Sequence, residues 1–147
     1  GLKKRRYIVV DVDMVLSGIN KKSAAKIGTS MICNISNKDV LTISKNENKT
    51  RSKVAMRYSS EQIDGGIVVI GNAPTALFEL VNMINEGVAR PLLVVGIPVG
   101  FVSAEESKLE LSKTNVEFIT NIGRKGGSPA AASIINALML MYINSLD

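Results

Sequence analysis

Three stretches of the chain join glycine to the start of a helix: Gly71-Asn72-Ala73-Pro74-Thr75, Gly96 to Ser103, and Gly123-Arg124-Lys125-Gly126-Gly127-Ser128. Each follows a short strand-like run and feeds a helical pattern, so each reads as a strand-to-helix turn. Glycine lets a ligand come close to the backbone, and the first turn of a helix offers amides with no partner inside the helix. The chemistry such turns suit is the holding of a carboxylate or phosphate. Any one of them is equally well a turn that simply needs Gly and Pro. Three on one edge of a parallel sheet favour a shared site. The cations nearby fit the same ligand. Arg51 follows Thr50, and Arg124-Lys125 sits between glycines. Arginine presents a planar fork to a carboxylate, although a solvated charge is the common fate of such residues. Thr50, Ser52, Thr75 and Ser128 add hydroxyls, for which helix capping is the plainer role.

Other chemistries are excluded by what is missing. The chain has no histidine and one cysteine, Cys33, so histidine catalysis, a His/Cys metal cluster and an intrachain disulfide are all ruled out for these 147 residues. Cys33 is expected to pack in the core as a small hydrophobe. Asp11 and Asp13 close the first strand and resemble a magnesium-binding pair. That use requires an acidic residue at the end of the third strand, where Gly71-Asn72 stands, so the two read as turn-forming carboxylates. There is no Walker loop, no Gly-x-Gly-x-x-Gly and no Gly-x-Ser-x-Gly. No metal and no added cofactor are expected. Aromatic residues make up 4% and Trp is absent, which leaves no stacking platform for single-stranded nucleic acid. The formal net charge of +5 suits an anionic small molecule or plain solubility.

The elements that must position these residues follow from local pattern. Tyr7 to Val12 reads as a first strand, Met14 to Gly18 as a turn, and Asn20 as the cap of a short helix through Lys26 that Gly28 breaks. Ser30 to Ile35 is a second strand. Ser36 to Lys49 is a polar surface excursion with a short helix near Val40 to Ser44. Thr50 caps a helix from Arg51 to about Ser60. Ile67 to Ile70 is the third strand, followed by a helix from Thr75 to Glu86 that Gly87 stops. Pro91 opens a fourth strand, Leu92 to Val95. Ser103 and Glu106 form a capping box for a helix to about Lys113, and Val116 to Thr120 is the fifth strand. Ser128 caps the last helix, with Pro129 at its first position. Its body, Ala130 to Ile143, is apolar almost all round and is expected to be buried on the sheet or in a dimer contact. It is too short to span a bilayer and carries Ser133 and Asn136. Lys3-Lys4-Arg5-Arg6 leads only into a brief strand, unlike a signal peptide. The alternation predicts one domain over 1–147, an α/β fold of three layers. Its five-stranded sheet is mostly parallel, in the flavodoxin-like order 2-1-3-4-5.

Taken together, the motifs resemble the precorrin-8X methylmutase family. They are Gly71-Asn72-Ala73-Pro74-Thr75-Ala76-Leu77; Pro98-Val99-Gly100-Phe101-Val102 with Glu106-Ser107-Lys108; and Arg124-Lys125-Gly126-Gly127-Ser128. Asp11-Val12-Asp13-Met14-Val15 with Gly18-Ile19, and Thr50-Arg51-Ser52, match as well. Order and spacing agree from Tyr7 to Leu140. The resemblance implies a cytoplasmic, homodimeric isomerase of cobalamin biosynthesis that works without a cofactor, a nucleic acid or a membrane. It would move a methyl group between neighbouring ring carbons of a tetrapyrrole, converting precorrin-8X to hydrogenobyrinate or its cobalt form. The substrate-binding residues it implies, with the hydroxyl candidates above, are Thr50, Arg51, Ser52, Gly71, Asn72, Ala73, Thr75, Gly100, Phe101, Val102, Arg124, Lys125, Gly126, Gly127 and Ser128. An acid-assisted sigmatropic shift is the mechanism expected, with grip on several carboxylates fixing the ring pucker. One departure stands out. The family's N-terminal segment, which carries the histidine given the acid role, has no counterpart here. The chain therefore reads as an N-terminally shortened or cleaved member, and no catalytic residue is assigned. The alternatives are a non-catalytic tetrapyrrole-binding relative and a generic anion-binding α/β module.

Overall fold

A computed structural model describes residues 6–146; the basic run Lys3-Lys4-Arg5 lies outside them. Five strands carry the sheet: β1 (Tyr7–Val10), β2 (Ser30–Cys33), β3 (Ile67–Ile70), β4 (Leu93–Gly96) and β5 (Phe118–Thr120). All pairings are parallel and the order is β2-β1-β3-β4-β5, as the alternation predicts. Val9 pairs with Ile32 on one side and Val68 on the other, Val68 with Val94, and Val95 with Ile119. A sheet of this kind needs apolar residues on both faces, which is why these strands read as continuous Val/Ile runs.

The two faces bury separate cores. Val9, Val68, Ile70 and Val94 pack under α4 (Arg51–Tyr58), α6 (Pro74–Glu86) and α7 (Ala104–Ser112), against Met56, Leu77, Leu80, Met83 and Leu111. Ile8, Val10, Val69 and Val95 pack under α1 (Asp13–Gly18), α2 (Lys21–Ile27) and α8 (Ser128–Ser145), against Val15, Ala24, Ala131, Ile135 and Met139. Residues of alternating parity thus serve opposite faces. Each fully buried large aliphatic side chain contributes about 1.5–3 kcal/mol.

Several expectations are corrected. β1 ends at Val10, not Val12, because Asp11 turns its carboxylate across to the next strand end. Residues 13–18 form the helix α1 rather than a turn; Val15 is fully buried beneath it. The polar excursion contains a ten-residue helix, α3 (Lys38–Glu47), capped by Asn37 and anchored by Val40 against Val54 and Ala55. The helix after Thr50 breaks into α4 and a single turn, α5 (Ser60–Ile63). Ser103 precedes α7 but makes no capping bond, and α8 starts behind Gly127, with Ser128 inside the helix. α8 is buried along one stripe only, while Leu140, Met141 and Tyr142 are exposed. Its Asn136 ties it to the α1–α2 junction, accepting from the Asn20 amide at 2.8 Å and donating to the Gly18 carbonyl at 2.9 Å. Among the described residues no helix is long and apolar enough to cross a membrane. Cys33 is half-buried at the end of β2 rather than fully in the core. Burial, with the Asp13 and Asp11 carboxylates nearby, pushes its thiol up to about 12.

Candidate functional site

Because every strand is parallel, the turns after β3, β4 and β5 open on one edge of the sheet, as the sequence predicts. The first of them differs from expectation in a way that matters. Asp11, buried at the end of β1, places its carboxylate against the β3–α6 turn. Its Oδ1 accepts from the Gly71 amide at 3.0 Å, and its Oδ2 from the amides of Asn72 at 2.9 Å and Ala73 at 2.7 Å. Burial pushes the Asp11 carboxyl above the ordinary carboxylate range, and the three amides pull it back. The amides that made this turn attractive as an anion site are therefore engaged by the protein's own anion. Gly71 has a packing reason as well. A Cβ there would meet Ser128 Cα at 2.8 Å and both Ala131 Cβ and Val15 Cγ2 at 2.9 Å.

The other two turns are joined to each other. The Gly127 amide donates to the Ile97 carbonyl at 3.0 Å, and the Gly100 amide to the Arg124 carbonyl at 3.2 Å. A side chain at Gly126 would strike the carbonyls of Ile97 and Pro98. Lys108, on α7, is the residue that sequence reasoning placed in a motif without giving it a role. It is 3% exposed, and its ammonium donates to the carbonyls of Gly123 at 2.8 Å and Lys125 at 2.6 Å. Burial draws it below the ordinary lysine range. Asn121 adds a bond to the Lys125 carbonyl at 2.8 Å. With their carbonyls so held, Arg124 and Lys125 remain exposed. The Arg124 guanidinium lies 5.5 Å from the centre of the Phe101 ring, a cation–π distance. Phe101 and Val102 are each 86% exposed and Ile122 96%, an apolar tip above the joined turns.

Arg51 approaches the same edge from a different helix. Lys53 lies 3.7 Å from Glu79, and Arg57 binds both Glu79 and, at 2.8 Å, Glu86. Hydrogen bonds to these two carboxylates, Glu86 foremost, raise Arg57 further. Pairing in that sequence means α4 and α6 run side by side in one direction. Thr50 and Arg51 therefore lie at the end of α4 that corresponds to Pro74 and Thr75 on α6. Thr50 is engaged in capping, its Oγ1 accepting from the Lys53 amide at 3.3 Å. Arg51 and Thr75 are exposed, and Ser52 is half-buried. A groove of about 440 Å³ lies elsewhere, between α3 and α4, lined by Asn46, Lys49, Arg57, Tyr58 and Glu79. It contains none of the residues singled out from the sequence.

Fold and edge together define a doubly wound α/β protein with exposed cations and an apolar tip on the sheet edge where such folds bind ligands. A family model described as precorrin-8X methylmutase matches residues 1–141. The chain belongs to that family. It is 49% identical over 140 residues to a cobalt-precorrin-8 methylmutase of Priestia megaterium, covering 95% of this chain and 62% of the relative. It is 44% identical to one from Methanocaldococcus jannaschii, covering 94% and 62%. A solved precorrin-8X methylmutase from Thermus thermophilus superposes with a TM-score of 0.86 at 35% identity, over 95% of this chain and 68% of that one. The chain thus spans less than two thirds of the length of the first two relatives.

Proposed function

We propose that this chain is the tetrapyrrole-gripping domain of an isomerase in cobalamin biosynthesis, acting on precorrin-8X or its cobalt form as part of a cytoplasmic homodimer. The observation that carries the reading is family membership over residues 1–141 together with the exposed cations Arg51, Arg124 and Lys125 on one sheet edge. The substrate bears many carboxylates on a flat, apolar ring. Arg51, Arg124 and Lys125 suit the carboxylates, with hydroxyls from Ser52, Thr75 and Ser128. Phe101 and Val102 suit the ring face, and Gly100, Gly126 and Gly127 let the backbone come close. Asn72 and Thr75, exposed beside the Asp11-filled turn, offer side chains instead of amides.

The reaction is a methyl shift within one molecule, so no atom need be supplied or removed. Catalysis then consists of protonating or hydrogen-bonding the ring near the new carbon and holding the pucker that brings the methyl over it. The residues named here grip and orient. No histidine is present among the 147 residues, and the acid role is not assigned to any of them. The alternative reading, a tetrapyrrole binder without turnover, is separated from the isomerase by one experiment. Leu140, Met141 and Tyr142 on α8 give a dimer an apolar surface to use. The test mixes the protein with precorrin-8X or cobalt-precorrin-8 and follows the absorbance. A new corrin chromophore with turnover supports the isomerase. A shifted spectrum without conversion supports the binder. No response to tetrapyrroles overturns both.

A further inference from the structure

The turn that carries Arg124 and Lys125 has no apolar anchor of its own. Among residues 121–126 none is buried, and Gly123, Gly126 and Gly127 leave its backbone with wide freedom. Such a segment holds one shape only through its backbone bonds. Three successive carbonyls supply them. Those of Gly123 and Lys125 accept from the Lys108 ammonium at 2.8 and 2.6 Å. The Arg124 carbonyl, between them, accepts from the Gly100 amide at 3.2 Å. Asn121 is a second donor to the Lys125 carbonyl. Gly100 and Asn121 belong to the turns themselves, so their bonds tie loop to loop. Lys108 belongs to α7, on the buried stripe of Ala104, Ser107 and Leu111, and Leu111 is part of the core. It therefore refers the turn to the body of the fold. A buried ammonium is weak evidence for stability, because desolvation offsets much of what its bonds contribute. What two directed bonds add is geometry, fixing the backbone on both sides of Arg124. The Arg124 guanidinium then stands 5.5 Å from the centre of the Phe101 ring, on the turn that leads into α7 itself.

We infer that Lys108 is a positioning residue for the ligand. By holding the carbonyls that flank Arg124, it sets where Arg124 and Lys125 meet a carboxylate arm while Phe101 meets the ring. Lys108 itself touches no ligand, since it lies beneath the turn and its ammonium is turned to the two carbonyls. This deepens the tetrapyrrole reading and rests on it for the identity of the ligand, though not for the placement of Arg124.

The test has two arms, both on the intact chain. The first needs no ligand and follows the Arg124 side-chain resonances by NMR. A ring-current shift that Phe101→Leu removes is expected in the parent chain, and Lys108→Met is expected to abolish it while β3 resonances stay in place. A parent chain without the shift, or a shift that survives Lys108→Met, overturns the inference. Should Lys108→Met fail to fold, Lys108→Gln serves. It keeps an NH2 donor on a shorter stem and is expected to reduce the shift, and an undiminished shift overturns the inference equally.

The second arm titrates hydrogenobyrinate, the metal-free corrin product, and its cobalt form. Lys108→Met is expected to weaken binding about tenfold or more, the loss of a charged contact to a carboxylate. With Arg124→Ala and Lys125→Ala already present, the same change is expected to alter affinity by less than about twofold, because the groups it positions are gone. With Arg51→Ala present, the loss of about tenfold should recur, since Arg51 sits on a separate helix. An equal loss in all three backgrounds assigns Lys108 to general support and overturns the inference, as does unchanged affinity. A parent chain that binds neither corrin sinks the tetrapyrrole reading, and the first arm then decides the placement of Arg124 by itself.

Discussion

The Oδ2 atom of Asp11 lies 2.7 Å from the amide nitrogen of Ala73, bridging sixty-two positions of sequence. The same carboxylate holds Gly71 and Asn72, so one side chain from β1 fixes the turn after β3. Asp11→Asn keeps the size but replaces one acceptor oxygen with a donor, which then faces amide N–H groups. It is expected to cost about 2–3 kcal/mol, the range for losing hydrogen bonds to a buried charge. Urea unfolding measures this as a lowered midpoint at constant slope. A change below about 0.5 kcal/mol, the size of an ordinary surface substitution, would show that the clip is dispensable.

Lys108→Met removes both ammonium bonds to the Gly123 and Lys125 carbonyls while keeping an unbranched side chain of similar length. The loss of charged hydrogen bonds, partly offset by not burying an ammonium, is expected to cost about 1–3 kcal/mol. The diagnostic reading is local. Amide exchange across 121–127 should rise about tenfold or more while β3 stays protected. Uniform loosening of the whole fold would mean that Lys108 supports the core and not this turn.

Glu79 is 4% exposed and relies on Arg57, with Lys53 more distant at 3.7 Å. Arg57→Met leaves that carboxylate underpaired. Because the Arg57 side chain is itself 42% exposed, the expected cost is reduced to about 1–3 kcal/mol. Adding Glu79→Met should recover part of the loss, since the orphaned charge goes too. A double variant that loses the sum of both single losses contradicts this account.

Cys33 provides a pH test. Its thiol pKa is raised in the fold to about 12, so the folded chain keeps the proton where the unfolded chain releases it. The associated stability is present below the ordinary thiol pKa of 9.0 and is lost as pH rises from there toward about 12. Alkylation at pH 8 should run about a thousandfold slower than for a free thiol, then climb about tenfold per pH unit. A rate that levels off near pH 9 refutes the raised value. Cys33→Ser should remove the alkaline loss of stability that this thiol contributes.

Arg51→Ala should leave stability within about 0.5 kcal/mol, because the residue is exposed at the start of α4. Loss of a charged hydrogen bond to a carboxylate arm predicts affinity for the corrin product about tenfold lower or more. Calorimetric titration separates the two effects. Unchanged affinity removes Arg51 from the set of anchors.

What the sequence revealed and what it hid divide along physical lines. Ile67–Ile70 falls where the pattern places it, and the strand order follows from alternation and handedness alone. The caps of Asn20 and Thr50 are visible because a cap acts on an amide three residues away. The α3 helix is longer than its pattern suggests because one face is solvated and only Val40 anchors it fully. The Asp11 clip was invisible, since nothing local joins residue 11 to residue 73. Lys108 did leave a trace. It shares a helical stripe with the buried Ala104, Ser107 and Leu111, and a lysine on such a stripe signals a buried ammonium with carbonyl partners. The Ser103 and Ser128 caps failed for a different reason. The residue type fits, but the backbone enters both helices without turning the hydroxyl onto an N–H.

The missing side chain at Gly71 brings the first turn of α8, the β3 terminus and α1 into mutual van der Waals contact at one corner. Such a corner has no slack, because close-packed interiors transmit displacement instead of absorbing it. A guest pressing on α8 there meets a stiff abutment, and it is the guest that must conform.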